Sequence, residues 1–226
     1  MIEFEWNFGI LVPYWGNFLR GAIVTIELSV IVIFASLLGG IVVGMARYSS
    51  NKWLNLPATG FVEIFRNTPV FVQIVWFFYA FPVLIGVQME GFVAAILGVG
   101  LNMTAYTSEI YRAGIQSIHK GQWEAAKAVG MPYMRTMRRI ILPQAIRRMI
   151  PAFANRIIEG AKATALASAI AVGELLHEGE LLAQALYRPL EIYTVIAVLF
   201  FVLIYPLALW SYWLERRLRT DEKVTL

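Results

Sequence analysis

Asn155, Arg156, Glu159 and Lys162 stand in a segment that is otherwise small and apolar. Charges at membrane depth are expensive, and they usually face a bundle interior, a partner or a water-filled cavity. Positions 156, 159 and 162 recur at three-residue spacing, which predicts one face of a helix. A helix lining a polar pathway would satisfy them, and with the Thr164 hydroxyl they would suit a solute carrying ammonium and carboxylate groups. Alternatively, Arg156 and Glu159 belong to the base of the bundle and pair locally. Covalent chemistry has no such support. There is no Gly-x-x-x-x-Gly-Lys-Ser/Thr loop to cradle a nucleotide and no nucleophile–base constellation. His119 and His177 are too few and too far apart for a metal centre, and the chain has no cysteine.

Three further charged residues sit beside apolar runs. Arg66 can pair with a solute carboxylate through its planar fork, or it can snorkel to headgroups and tie down a loop. Thr68 follows it. Glu109 and Arg112 lie three residues apart, share a helix face and can form an ion pair, which reads as scaffold more than as solute contact.

The elements that must position these groups are membrane helices. The 226 residues are 59% hydrophobic, with positive mean hydropathy, and the apolar residues gather into runs of about twenty, the length that crosses a hydrocarbon core. Five spans are expected, at about 22–45, 69–89, 91–111, 149–176 and 192–213. Gly40 and Gly44 near the end of the first can permit close helix contact, or they reflect the general abundance of glycine in membrane helices. An amphipathic stretch, 53–65, precedes the second span.

Lysine and arginine flank alternate spans. Arg47 and Lys52 follow the first, a dense group from Arg112 to Arg148 follows the third, and Arg216, Arg217, Arg219 and Lys223 follow the fifth. Glu3, Glu5, Glu90, Glu174, Glu178, Glu180 and Glu191 dominate the other segments. That asymmetry predicts an external amino terminus and a cytoplasmic carboxyl terminus. The net charge of +4 thus reads as topology rather than as a nucleic-acid surface. The acidic, aromatic amino terminus has neither the basic lead nor the Ala-x-Ala site of a removable signal peptide. No internal repeat or second domain is evident, so residues 1–226 read as one transmembrane domain.

Between the third and fourth spans lies a polar connector, about 115–148, that contains EAAKAVGMPYMRTMRRIILP. Its first half is rich in helix formers and stops at Gly130; Pro132 starts a second helical run, which Pro143 is expected to interrupt. Two short helices joined at Gly-Met-Pro make an elbow that a soluble partner can grip.

These residues resemble a signature of the permease subunits of bacterial ABC importers. Glu124, Ala125, Ala126, Gly130, Ile140, Leu142 and Pro143 match it with the family's spacing. Phe65-Arg66-Asn67-Thr68-Pro69, the block Ala105–Ile115, Leu142-Pro143-Gln144-Ala145 and Arg188–Tyr193 resemble the polar amino acid branch, which includes histidine, glutamine and glutamate permeases. Two departures stand out. Ala113 replaces a glycine, and Lys162-Ala163-Thr164-Ala165-Leu166 stands where relatives commonly read Lys-Asp-Thr/Ser-Ser-Leu, so a carboxylate and a hydroxyl are missing.

The resemblance implies an all-α integral membrane fold of the type I importer, with five transmembrane helices and a cytoplasmic coupling elbow. It implies that the elbow docks on a separate ABC ATPase, which carries the ATP and magnesium, so this chain needs no cofactor. It also implies a second permease copy or paralogue, a periplasmic or lipid-anchored solute-binding protein, and residence in the bacterial inner membrane. A polar amino acid is the expected solute. A compatible solute or opine carried by the same architecture is an alternative; an intramembrane enzyme and an ATP-independent carrier are the rivals from other classes. Copurification of an ATPase would separate these readings.

Overall fold

The computed structural model describes residues 5–219, with side chains to Leu218; Glu3, Lys223 and the other terminal positions lie outside them. Every regular element among the described residues is helical. In chain order these are α1 Trp15–Tyr48, α2 Lys52–Asn67, α3 Val70–Val75, α4 Phe81–Ile85, α5 Gly91–Gln116, α6 Lys120–Ala128, α7 Tyr133–Thr136, α8 Leu142–Ala163, α9 Leu175–Leu186 and α10 Pro189–Arg219. A 3-10 turn, Phe8–Tyr14, leads into α1, and another, Thr164–Ile170, follows α8.

Two π-helical turns, Trp76–Ala80 and Met137–Ile141, share a cause. Each runs directly into a helix whose second residue is proline, Pro82 or Pro143. A proline ring collides with the carbonyl four residues back and offers no N–H to it. The wider π turn moves that carbonyl aside, so the helix continues where a regular ladder would break. Pro143 therefore does not interrupt the second elbow helix as the sequence suggested; the chain runs helically from α7 through the π turn into α8.

Among the described residues three helical stretches are long and apolar enough to cross a membrane: Phe8–Tyr48, Gly91–Gln116 and Pro189–Leu218. Lys52–Asn67 and Val70–Ile85 pass only as a pair bent by 108°, the form of a broken span or a re-entrant loop, so the second expected span, 69–89, does not stand as a crossing helix by itself. The fourth expected span, 149–176, is not a single helix. Regular α-structure ends at Ala163, a 3-10 turn follows, and Ala171 takes a left-handed conformation (φ 57°) before α9 begins.

The chain forms two compact units whose boundaries fall inside α1, α5, α8 and α10. One comprises 5–34, Thr68–Leu101 and Glu159–Pro206. Its core joins Leu11, Phe18, Leu175, Leu182, Ile192 and Ile196. The fully buried Glu174 caps α9, its carboxylate accepting from the backbone N–H of Leu176 (2.9 Å) and His177 (2.8 Å). Thr25 ties that cap to α1, since its hydroxyl donates to the Gly21 carbonyl and accepts from Leu175 N–H at 3.1 Å. Three otherwise orphaned N–H groups are thereby satisfied where α9 starts.

The second unit comprises Ala35–Asn67, Asn102–Ile158 and 207–219. Ile118, Ile141, Ala145 and Met149 form its core, with Trp123 and Phe153 against them. Here α1 meets α5 through small residues. A Cβ on Gly40 would lie 2.6 Å from Thr107 Cγ2, and one on Gly39 would lie 3.0 Å from Thr104 Cγ2. Backbones approach this closely only where side chains are absent, which is how helices gain packing energy in lipid.

A basic elbow, an arginine knot and a polar helix face

The elbow is built by local rules. The His119 ring caps α6 by accepting from Gly121 N–H at 3.1 Å. At the other end Gly130 adopts φ 73°, its N–H bonds the Lys127 carbonyl at 3.0 Å, and Met131 N–H bonds the Ala126 carbonyl at 3.0 Å. This paired pattern closes a helix on a left-handed residue, a conformation that glycine adopts without steric cost. Pro132 then leads into α7, and the Trp123 and Tyr133 rings stack with centroids 6.0 Å apart.

The motif residues divide by burial. Ala126 is buried and Ile140 half-buried, so they hold the elbow together. Glu124, Ala125, Gly130, Leu142 and Pro143 are exposed. Sequence reasoning missed the exposed apolar residues that flank the turn: Val129 is 75% exposed and Met134 71%, and Tyr133 is exposed as well. Their signal was available, as apolar residues flanking a Gly-x-Pro turn within a basic segment. Partial burial and the nearby Tyr48 raise the Tyr133 phenol above its usual range.

In the same unit Glu109 gathers three guanidiniums. Arg112 Nη2 lies 2.6 Å from its carboxylate and Arg66 Nη1 3.7 Å away, and Arg47 closes a third ion pair. Arg66 and Arg156 also lie over the Tyr106 ring, at 5.3 and 4.0 Å from its centroid. Tyr106 in turn donates to the Arg66 carbonyl at 3.3 Å, and Asn102 donates to the Phe65 carbonyl at 2.8 Å, fixing the end of α2 to α5. Arg66, Glu109 and Arg112 are thus brought together, joined by Arg47, whose pairing no local spacing reveals. Thr68 lies in the other unit, where its carbonyl accepts from Gln73 at 2.9 Å.

Along α8, Asn155, Glu159 and Lys162 are exposed. At about 100° per residue they fall within a wedge of about 60°, whereas Arg156 and Lys162 stand about 120° apart. The polar face therefore runs through 155, 159 and 162 rather than through 156. Steps of three residues drift round a helix, but steps of four and three nearly cancel. Thr164 lies off that face: it is fully buried in the 3-10 turn, where its hydroxyl bonds the Ala161 carbonyl at 2.8 Å and meets Ser29 Oγ at 3.3 Å.

Residues 14–220 match the profile of the family described as binding-protein-dependent transport system inner membrane component. The chain is 32% identical over 216 residues to the arginine transport system permease protein ArtQ of Bacillus subtilis, covering 96% of this chain and 99% of that protein. It is 33% identical over 219 residues to the glutamine transport system permease protein GlnP of Escherichia coli K12, covering 96% and 99%. Among solved structures, a chain from the crystal structure of an amino acid ABC transporter with histidines superposes with a TM-score of 0.89 at 32% identity, over 95% of this chain and 100% of that one. The MetNI methionine ABC transporter shares the fold, with a TM-score of 0.75 at 23% identity over 92% and 98%.

Proposed function

Because this chain belongs to the family of inner membrane components of binding-protein-dependent transport systems, we propose that it is the permease subunit of an ABC importer for a polar amino acid. The chain supplies the pathway and the coupling surface; nucleotide chemistry resides on a partner ATPase, and a separate binding protein delivers the solute. A second permease copy or paralogue completes the pathway.

The observation that carries the coupling role is the elbow, where a tightly closed turn is flanked by exposed Glu124, Val129 and Met134. Apolar knobs beside a carboxylate suit a groove on a soluble protein, and the left-handed Gly130 sets the angle between α6 and α7. Closure of paired ATPase subunits would pull on such elbows and shift the permease pair between inward- and outward-facing states. Glu124→Lys and Gly130→Pro should leave the chain in the membrane but lower ATP-driven uptake and ATPase copurification. Normal uptake and copurification in both variants would sink the docking assignment.

The basic residues of the elbow support a cytoplasmic placement, with the amino terminus outside and five crossings in all. In that arrangement α8 and its 3-10 turn together make the fourth crossing. Cysteines introduced at Asn7 and Glu180 should react with an impermeant reagent applied to intact cells, and one at Gln122 should not. External labelling of Gln122→Cys would overturn the orientation.

On the solute side, the reading rests on the exposed polar face of α8. Glu159 and Lys162 can meet the ammonium and carboxylate of an amino acid, and Asn155 extends the same face toward the elbow. Thr164 acts from behind it, setting the end of α8 through Ala161 and Ser29.

A further inference from the structure

Four buried residues line the join between the elbow and α8: Thr136, Ile141, Ala145 and Met149. Their spacings are five, four and four residues. Residues four apart stack on one face of a regular helix, whereas residues five apart diverge by about 140°. A regular helix would therefore bring Met137, not Thr136, into the row. The row Met137, Ile141, Ala145 and Met149 is also wholly apolar, so burial alone favours it. Yet Met137 is only half-buried, and Thr136 is 4% exposed. The extra residue is held in the π turn Met137–Ile141, where the Leu142 N–H bonds the Met137 carbonyl, five residues back.

Pro143 accounts for this choice. A regular turn would press its ring against the Arg139 carbonyl, four residues back. Gln144 secures the widened turn, its Nε2 donating to the Ile140 carbonyl at 2.9 Å and reaching Gln122 Oε1 of α6 at 3.5 Å. One added residue turns the chain on either side of it by about 100°, so this turn fixes how α7 faces relative to α8. With it, Tyr133 and Met134 are exposed and Thr136 is inside. Without it, Met137 would take the buried place and α7 would roll by about 100°, carrying Tyr133 and Met134 away from their present direction. It is α7 that would yield, because it has four residues, whereas α8 has 22 and is buried at Ala145, Met149 and Ala154. We propose that Pro143 is a positioning residue for coupling: it excludes the regular turn and so aims the face of α7 that meets the ATPase. This assignment rests on the docking role of the elbow argued above.

The chain has no cysteine, so Thr136→Cys reports the phase of α7. In the full-length protein in neutral detergent, that thiol should resist a water-soluble maleimide, and adding Pro143→Ala should make it react. Deleting Arg139 as well shortens the interval between positions 136 and 141 to four residues, which a regular turn buries, so the thiol should be protected again. Arg139→Ala in place of the deletion keeps the length and should leave the thiol reactive. Ala145→Cys, on α8, should stay protected in all of these backgrounds. Without the reporter cysteines, Pro143→Ala should lose ATPase copurification and uptake, and deletion of Arg139 should restore both, a rescue that a merely structural proline would not show. Protection of Thr136→Cys in Pro143→Ala, or failure of the deletion to protect it again, would overturn the proposal and leave the docking role to its own test with Glu124→Lys. Exposure of Ala145→Cys in Pro143→Ala would mean unfolding rather than a roll of α7, and would overturn it as well. Labelling that follows the expected pattern while copurification and uptake stay parental throughout would overturn the docking role, and the coupling role of Pro143 with it.

Discussion

Replacing Gly40 by alanine adds one methyl group at the tightest contact between α1 and α5. The new Cβ would stand 2.6 Å from Thr107 Cγ2, 2.8 Å from its Cβ and 3.2 Å from the Ser108 nitrogen. Carbon atoms prefer about 3.5–4.0 Å, so the helices must part by about 1 Å or Thr107 must leave its rotamer. Separation is costly because Gly39 and Gly44 lie against Thr104 and Ser108 along the same seam. Overpacking of this kind destabilises by about 1–3 kcal/mol. Gly60, in α2, provides the control, since a Cβ there would meet nothing within 4 Å. Both substitutions gain the same helix-interior term of about 1 kcal/mol, so their difference isolates the contact. Unfolding in mixed micelles by added dodecyl sulfate, followed by tryptophan fluorescence, should place Gly40→Ala about 1–3 kcal/mol below Gly60→Ala. Thr107→Ala in the Gly40→Ala background removes the nearest atom and should recover part of the loss. Equal midpoints for the two glycine variants would refute the close-packed seam.

Glu109→Gln removes the only carboxylate among the ion pairs with Arg47, Arg66 and Arg112. Its side chain is 15% exposed and that of Arg47 12%, so the loss should approach the roughly 3–5 kcal/mol of a broken buried pair, read as the unfolding midpoint in the same micelles. An unchanged midpoint would show that the arginines do not depend on it. On the polar face of α8, Glu159→Gln should alter transport rate or solute preference in reconstituted vesicles while ATPase binding persists; uptake of every tested amino acid at parental rates would place the pathway elsewhere. Thr164→Val should instead act through stability, because its hydroxyl is buried against Ser29 and the Ala161 carbonyl. The expected loss is about 1–3 kcal/mol, and a change in solute preference at parental stability would contradict that role.

Sequence by itself determined what depends on near neighbours. Runs of apolar residues marked α1, α5 and α10 because crossing lipid is a matter of length and composition. Gly130 announced the elbow because a left-handed helix end is a property of one residue and its flanks. The Glu109–Arg112 pair was legible from three-residue spacing alone. Tertiary structure decided everything that depends on which helices meet. Arg47 and Arg66 come from α1 and α2, and nothing in their surroundings names Glu109 as the shared partner. Thr164, chosen from sequence as a pathway hydroxyl, is instead buried against Ser29 of α1. The continuity of α7 into α8 was hidden for a related reason: whether a proline breaks a helix or is absorbed by a π turn depends on how the backbone around it can widen. Local propensity is written every few residues, whereas packing against a distant helix is settled only when close approach, buried hydrogen bonds and shared charges are satisfied at once.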